Sequence, residues 1–144
     1  MTKDEIRHTR TMSKYFRYAG LAVIFLWFFG GGAAHFTATD FFVSIVPPWV
    51  PCPLWVVYIS GVIEIMLALL ILWSVTRPAA GWGLIVLTIA VTPANIHMYL
   101  NPSLFPDGTE TDYLIRLVVQ VFLLALIWWS TRTSSQSIEE DNSH

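Results

Sequence analysis

Four stretches of the chain are apolar with almost no interruption: 18–36, 54–75, 81–100 and 113–129. Each approaches the ~20 residues that a helix needs to cross a ~30 Å hydrocarbon core. None alternates with period two, and an open strand in lipid would leave its backbone groups unpaired. The pattern predicts an all-α fold, an integral membrane four-helix bundle occupying 18–130. A polar, basic leader (1–17) precedes it and reads as a helix along the inner leaflet. The Ser-rich tail (131–144) ends on Glu139, Glu140 and Asp141 and reads as disordered.

Composition agrees with the pattern. Of 144 residues, 55% are hydrophobic and 12% charged, against about 25% charged in a soluble domain. A chain this short could not hide so much apolar surface in a water-facing globule. Beyond the leader there is no basic stripe, which speaks against nucleic acid as a partner and leaves the lipid bilayer. The first span reads as a retained helix rather than a cleaved signal, because its apolar run exceeds a 7–15-residue signal core.

Charge then adds an orientation. Lys3, Arg7, Arg10, Lys14 and Arg17 precede the first span, Arg77 lies between the second and third, and Arg132 follows the fourth. The loops at 37–53 and 101–112 hold no Lys or Arg. Under the positive-inside rule both termini are expected in the cytoplasm, with Trp and Tyr marking both boundaries. The first of those loops is apolar and broken by Pro47, Pro48, Pro51 and Pro53, so it is expected to lie in the interface or to cap the bundle. The single cysteine, Cys52, excludes an internal disulfide and a dithiol relay within the chain.

Ionisable residues inside spans are costly and mark either packing or function. Glu64 falls roughly 15 Å below the outer boundary at 1.5 Å per residue, and Arg116 enters the fourth span from the same side about one turn down. A Glu64–Arg116 pair is expected, with Gln120 near the depth of Glu64. Thr88, Thr92, Asn95 and Tyr99 form one stripe on the third span, where Pro93 frees the carbonyl of Ile89. His35 and His97 stand near the outer ends of their spans, His35 above the Gly30–Gly31–Gly32 run.

Three readings stay open. The Glu64–Arg116 pair can be structural, with Thr92 and Asn95 serving the backbone opened by Pro93. Glu64, Arg116, Asn95 and Gln120, with His35 and His97 at the mouth, can instead line a polar pocket open toward the outer leaflet, for a quinone-like or lipid-like ligand. Thirdly, the two histidines can hold haem or a metal. No nucleophile–base pair stands at recognisable spacing, so no independent catalytic activity is expected.

The motifs His35-Phe36, Phe41-Phe42, Ile45-Val46-Pro47-Pro48, Ser60-Gly61 with Glu64, and Pro93-Ala94-Asn95-Ile96 resemble the bacterial DoxX-like membrane proteins. The resemblance runs from about Gly30 to Trp129. It implies a four-helix bundle in the bacterial inner membrane, an accessory subunit of membrane oxidoreductase or stress-response systems around thiosulfate or quinone chemistry, and other membrane or redox subunits as partners. It carries no catalytic motif over; only Glu64 and the 93–96 motif map onto it. Cys52 and the basic leader fall outside that pattern, and the lack of a second cysteine separates the chain from thiol-dependent four-helix reductases.

Overall fold

The computed structural model describes residues 3–105 and 108–132, with side chains from residue 14 onward. Of the tail expected to be disordered (131–144), Thr131 instead closes the last helix, while 133–144, and Pro106 and Asp107 of the second loop, lie outside the described residues. The elements are α1 (Lys3–Thr37), α2 (Thr39–Ser44), α3 (Pro53–Leu70), α4 (Arg77–Leu100) and α5 (Glu110–Thr131), with a 3-10 turn at Pro102–Leu104. From Lys14 onward α1 is long and apolar enough to cross a membrane, as are α3, α4 and α5. The chain is an all-helical, multi-pass membrane protein.

Burial shows the same thing independently. Leu26, Trp27, Ile59, Val62, Val86, Ile89, Val121 and Phe122 all face outward, while Glu64, Gln120, His35 and Thr88 face inward. Water would expel that arrangement, but lipid tails are as apolar as leucine and accept it. Exposed Trp73, Trp82, Trp128 and Trp129 mark one end, Trp49 and Trp55 the other.

The four long helices form a ring in which α1 packs on α3, α3 on α4, α4 on α5 and α5 on α1; α1–α3 and α4–α5 are the heavier seams. Sequential neighbours run antiparallel. The first and last spans therefore begin and finish at one end of the bundle, here the terminal end. The opposite, loop end carries α2 and the 3-10 turn.

Three boundaries differ from the hydropathy pattern for local reasons. The apolar run continues to Val75, yet α3 stops at Leu70. Thr76 donates its hydroxyl to the Leu70 carbonyl, and Arg77 donates Nε to the Ile71 carbonyl at 2.9 Å and Nη2 to that of Leu72 at 3.2 Å. Side chains thus serve the carbonyls that a helix end leaves open. Arg77 then starts α4 directly, with Pro78 in its first turn, where no intrahelical N–H is lost. At the other end, α5 starts earlier than expected because Thr109 and Asp112 form a capping box, Thr109 N–H donating to Asp112 Oδ2 at 2.8 Å and Asp112 N–H to Thr109 Oγ1 at 3.2 Å. Residues 3–17 are helical and run into the first span without a break. Leader and span are one element, not a separate surface helix.

Two apolar clusters bracket the interior. At the terminal end Ile24, Phe28, Ala68, Ile71, Ala80, Leu84 and Ile127 pack together. Around them small residues let helices close up: a Cβ on Gly20 would strike the Ser130 side chain, and one on Gly81 the Thr131 side chain. At the loop end Ile45, Met98 and Tyr113 are buried with Phe42 and Phe105 against them. The prolines do break the 37–53 segment, leaving the short α2 and then turns. Its Ile45 and Phe42 cap the bundle.

A polar level between the two apolar clusters

The α1–α3 seam is set by Gly32 and Gly61. A Cβ on Gly32 would lie 2.8 Å from the Gly61 carbonyl oxygen, and one on Gly61 2.8 Å from His35 Cβ and 3.0 Å from the Gly32 carbonyl oxygen. Backbone meets backbone, so α3 carries Glu64 against Gly31 and Gly32. A Cβ on Gly31 would stand 3.2 Å from Glu64 Oε2. Glu64 is only 8% exposed.

One turn toward the loop end, His35 Nδ1 lies 3.1 Å from the Val57 carbonyl oxygen and 3.1 Å from Ser60 Oγ. Ser60 donates its hydroxyl to the same carbonyl at 2.9 Å. A carbonyl can only accept, so in that contact Nδ1 carries a ring proton. The ring edge sits on Phe42, centroids 4.0 Å apart.

Across the bundle, Gln120 of α5 is also 8% exposed. Its Nε2 donates to the Thr88 carbonyl at 3.1 Å and to Thr92 Oγ1 at 3.2 Å. The Thr92 hydroxyl donates to the Thr88 carbonyl at 2.8 Å, and the Thr88 hydroxyl to that of Leu84 at 2.7 Å. These acceptors orient the amide, and Gln120 Oε1 is left buried with no donor among the described residues. Glu64, Gln120 and Thr88 each lie roughly 15–18 Å from the loop-end limit of their helices, at 1.5 Å per residue. They share one level at mid-bundle.

The structure buries Glu64 and His35 at the α1–α3 seam and Gln120 at the α4–α5 seam, and places the other expected site residues elsewhere. Arg116 is exposed, its guanidinium 5.6 Å over the Phe41 ring. No ion pair or hydrogen bond joins it to Glu64 among the described residues. Arg116 starts roughly 9 Å from the head of α5, and its long side chain reaches outward to α2 rather than deeper, which keeps the cation out of the interior. Asn95 is half-buried and makes no side-chain hydrogen bond among the described residues. Thr92 serves the Thr88 carbonyl, not that of Ile89.

His97 sits in the loop-end cap, with Nδ1 3.1 Å from Asn101 Nδ2 and its ring edge-on to Trp49 and Phe105. It is separated in its contacts from His35. No group of three or more His, Cys, Asp or Glu that could hold a metal occurs among the described residues. The expected open mouth is covered by Ile45, Met98 and Tyr113, whose hydroxyl donates to the Phe105 carbonyl. Phe42 and the Val57 carbonyl, which hold His35, carry no signal in the sequence. They follow from the register of the glycine seam.

A family model described as "Domain of unknown function (DUF8561)" matches residues 21–132. The chain belongs to the DUF8561 family. The DUF8561 match takes in nearly all of the four spans, both apolar clusters and all of the polar level, and leaves out the basic leader. No curated protein and no solved structure matches the chain, and nothing in these comparisons links it to the DoxX-like proteins.

Proposed function

We propose that this DUF8561 protein is a non-catalytic membrane subunit that holds a small, lipid-soluble ligand with a polar head, of the quinone or lipid class, at its mid-bundle level. The observation that carries the reading is Glu64, a carboxyl buried at the centre of the bundle with neither a cation nor a hydrogen-bond partner among the described residues. Burying an unpartnered carboxyl costs stability, and intramembrane ionisable groups that have no packing partner point to a ligand or proton path. The ligand enters sideways from lipid through one of the lighter seams, α3–α4 or α5–α1, because the loop end is capped.

Both termini face the cytoplasm in this reading, on the strength of every Lys and Arg except Arg116 falling at the terminal end. The protein serves a bacterial inner-membrane oxidoreductase or stress-response assembly. A second reading, an assembly protein with a structural polar level, draws on His35 and Gln120 both donating to backbone carbonyls.

Purification in mild detergent followed by mass spectrometry of extracted small molecules separates the two. A stoichiometric quinone or lipid that is lost from Glu64→Gln supports the ligand reading. Protein that carries no such molecule, together with a redox partner that copurifies equally well with Glu64→Gln, supports the second.

A further inference from the structure

The buried positions and the basic positions of α1 belong to one series. Leu21, Ile24, Phe28 and His35 are buried and fall on a single face of the helix. Continued outward in alternating steps of four and three, the same register meets Arg17, Lys14, Arg10, Arg7 and Lys3 in turn. Asp4 and Glu5 fall off that face. The face that packs inside the bundle therefore becomes, beyond it, a row of cationic positions on the same unbroken helix.

Two contacts fix where this face leaves the bundle. Arg17 donates Nε to the Ser130 carbonyl at 2.9 Å, and Gly20 lies against the Ser130 side chain. The face is thus turned toward α5 at the level where α5 finishes. From Arg17 the helix runs on for roughly 21 Å to Lys3, whereas α4 starts only about 6 Å beyond Gly81, which lies against Thr131. From Lys14 outward no other helix accompanies α1 among the described residues. The row overhangs the end of the bundle. Lipid suits it poorly as an occupant, because a helix that rests on a leaflet immerses an apolar flank. Between Lys3 and Lys14 the apolar residues are Ile6 and Met12 alone.

The chain carries a complementary segment of its own. Glu139, Glu140 and Asp141 are consecutive. The stretch that bears them leaves α5 through Arg132, just past the Ser130 carbonyl that Arg17 holds. From Arg132 to Glu139 an extended chain spans up to ~25 Å. Along α1, Arg10 stands ~10 Å and Arg7 ~15 Å from Arg17, so the three anions reach the row with chain to spare.

We propose that the acidic segment Glu139–Asp141 docks on the basic row Lys3, Arg7, Arg10 and Lys14 of its own chain. The tether supplies a high effective concentration, so weak contacts suffice. Surface ion pairs are screened by salt and individually modest, which makes the segment a cover that a more acidic competitor displaces. The proposal is independent of Glu64 and any ligand held there.

A zero-length carbodiimide joins a lysine amine to a carboxylate in contact with it, and so reads the docking directly. Full-length protein in micelles of an uncharged detergent, prepared as an equal mixture of isotopically light and heavy chains, should yield Lys3 or Lys14 joined to Glu139, Glu140 or Asp141 within one chain. That yield should collapse at roughly 1 M salt, and it should fall when Arg7→Gln and Arg10→Gln are combined. The complementary variant, Glu139→Gln with Glu140→Gln and Asp141→Asn, lies outside the bundle and keeps every topology-setting cation. Trypsin should cut it at Arg7 and Arg10 about fivefold faster than the unsubstituted protein. Equal cleavage of the two proteins overturns the proposal, because the row is then uncovered. Crosslinks formed only between light and heavy chains also overturn it and assign the row to a second copy. Protection from trypsin that appears only when anionic lipid is added to the micelles, and equally in the neutralised variant, overturns it in favour of headgroups.

Discussion

Glycine brings helices into contact in two regions of this bundle, with opposite consequences. At the terminal end Gly20 and Gly81 admit the side chains of Ser130 and Thr131, and the space behind them is filled by Ile24, Ala68, Leu84 and Ile127. The Thr131 hydroxyl turns back to the Ile127 carbonyl at 2.7 Å. Ser130 Oγ is the one enclosed polar atom there without a partner among the described residues. Arg17 closes that end by donating Nε to the Ser130 carbonyl at 2.9 Å. At mid-bundle the Gly32–Gly61 contact admits His35 and Glu64 instead. One seam yields a core filled by apolar side chains; the other brings in polar side chains, among them Glu64 with no protein partner among the described residues. Close helix approach is therefore a neutral device, and the side chain presented to the gap decides whether it is filled by apolar or by polar groups.

The difference can be broken most forcefully at the filled end. Leu84→Ala leaves a void among fully buried neighbours and should cost about 2–5 kcal/mol in reversible unfolding from detergent micelles. Lipid contributes no hydrophobic driving force between helices, so a loss near the upper figure would show that packing alone supplies the stability.

At the polar level, Gly32→Val sets new carbons against the Gly61 carbonyl, which cannot move aside, and should cost about 1–3 kcal/mol. Two residues away, a Cβ on Gly30 would meet nothing within 4 Å. Gly30→Ala should raise stability by about 0.5–1 kcal/mol through helix propensity. If both substitutions act alike, the seam is not where the backbones touch.

Arg116→Met, at the outer surface, should change stability by no more than about 0.5 kcal/mol, the loss of an exposed cation–π contact with Phe41. A larger drop in the melting curve would mean that Arg116 engages Glu64 after all.

How far these regions can be read without coordinates depends on what each rests upon. The four spans follow from apolar length, and the depth of Glu64 and Gln120 follows from the rise of a helix. The stop of α3 at Leu70 does not, because hydropathy continues through Val75 and the signal lies in two side chains, Thr76 and Arg77, that reach back to its carbonyls. Depth likewise brings Arg116 within reach of Glu64 but is silent on direction, and the side chain turns outward. The choice of backbone partners by His35 and Gln120 is the least legible feature. It depends on which carbonyl His35 meets across the seam and which Gln120 meets across the other, and backbone acceptors are the same at every residue.

The central claim is that Glu64 stands at mid-bundle without a protein partner. The equilibrium stability of Glu64→Gln against the unsubstituted protein, in the same detergent and with no added ligand, tests it most directly. The account predicts equal or higher stability, since a neutral amide of the same shape costs less to bury than an unpartnered carboxyl. A fall of about 3–5 kcal/mol, the signature of a broken buried ion pair, would contradict it.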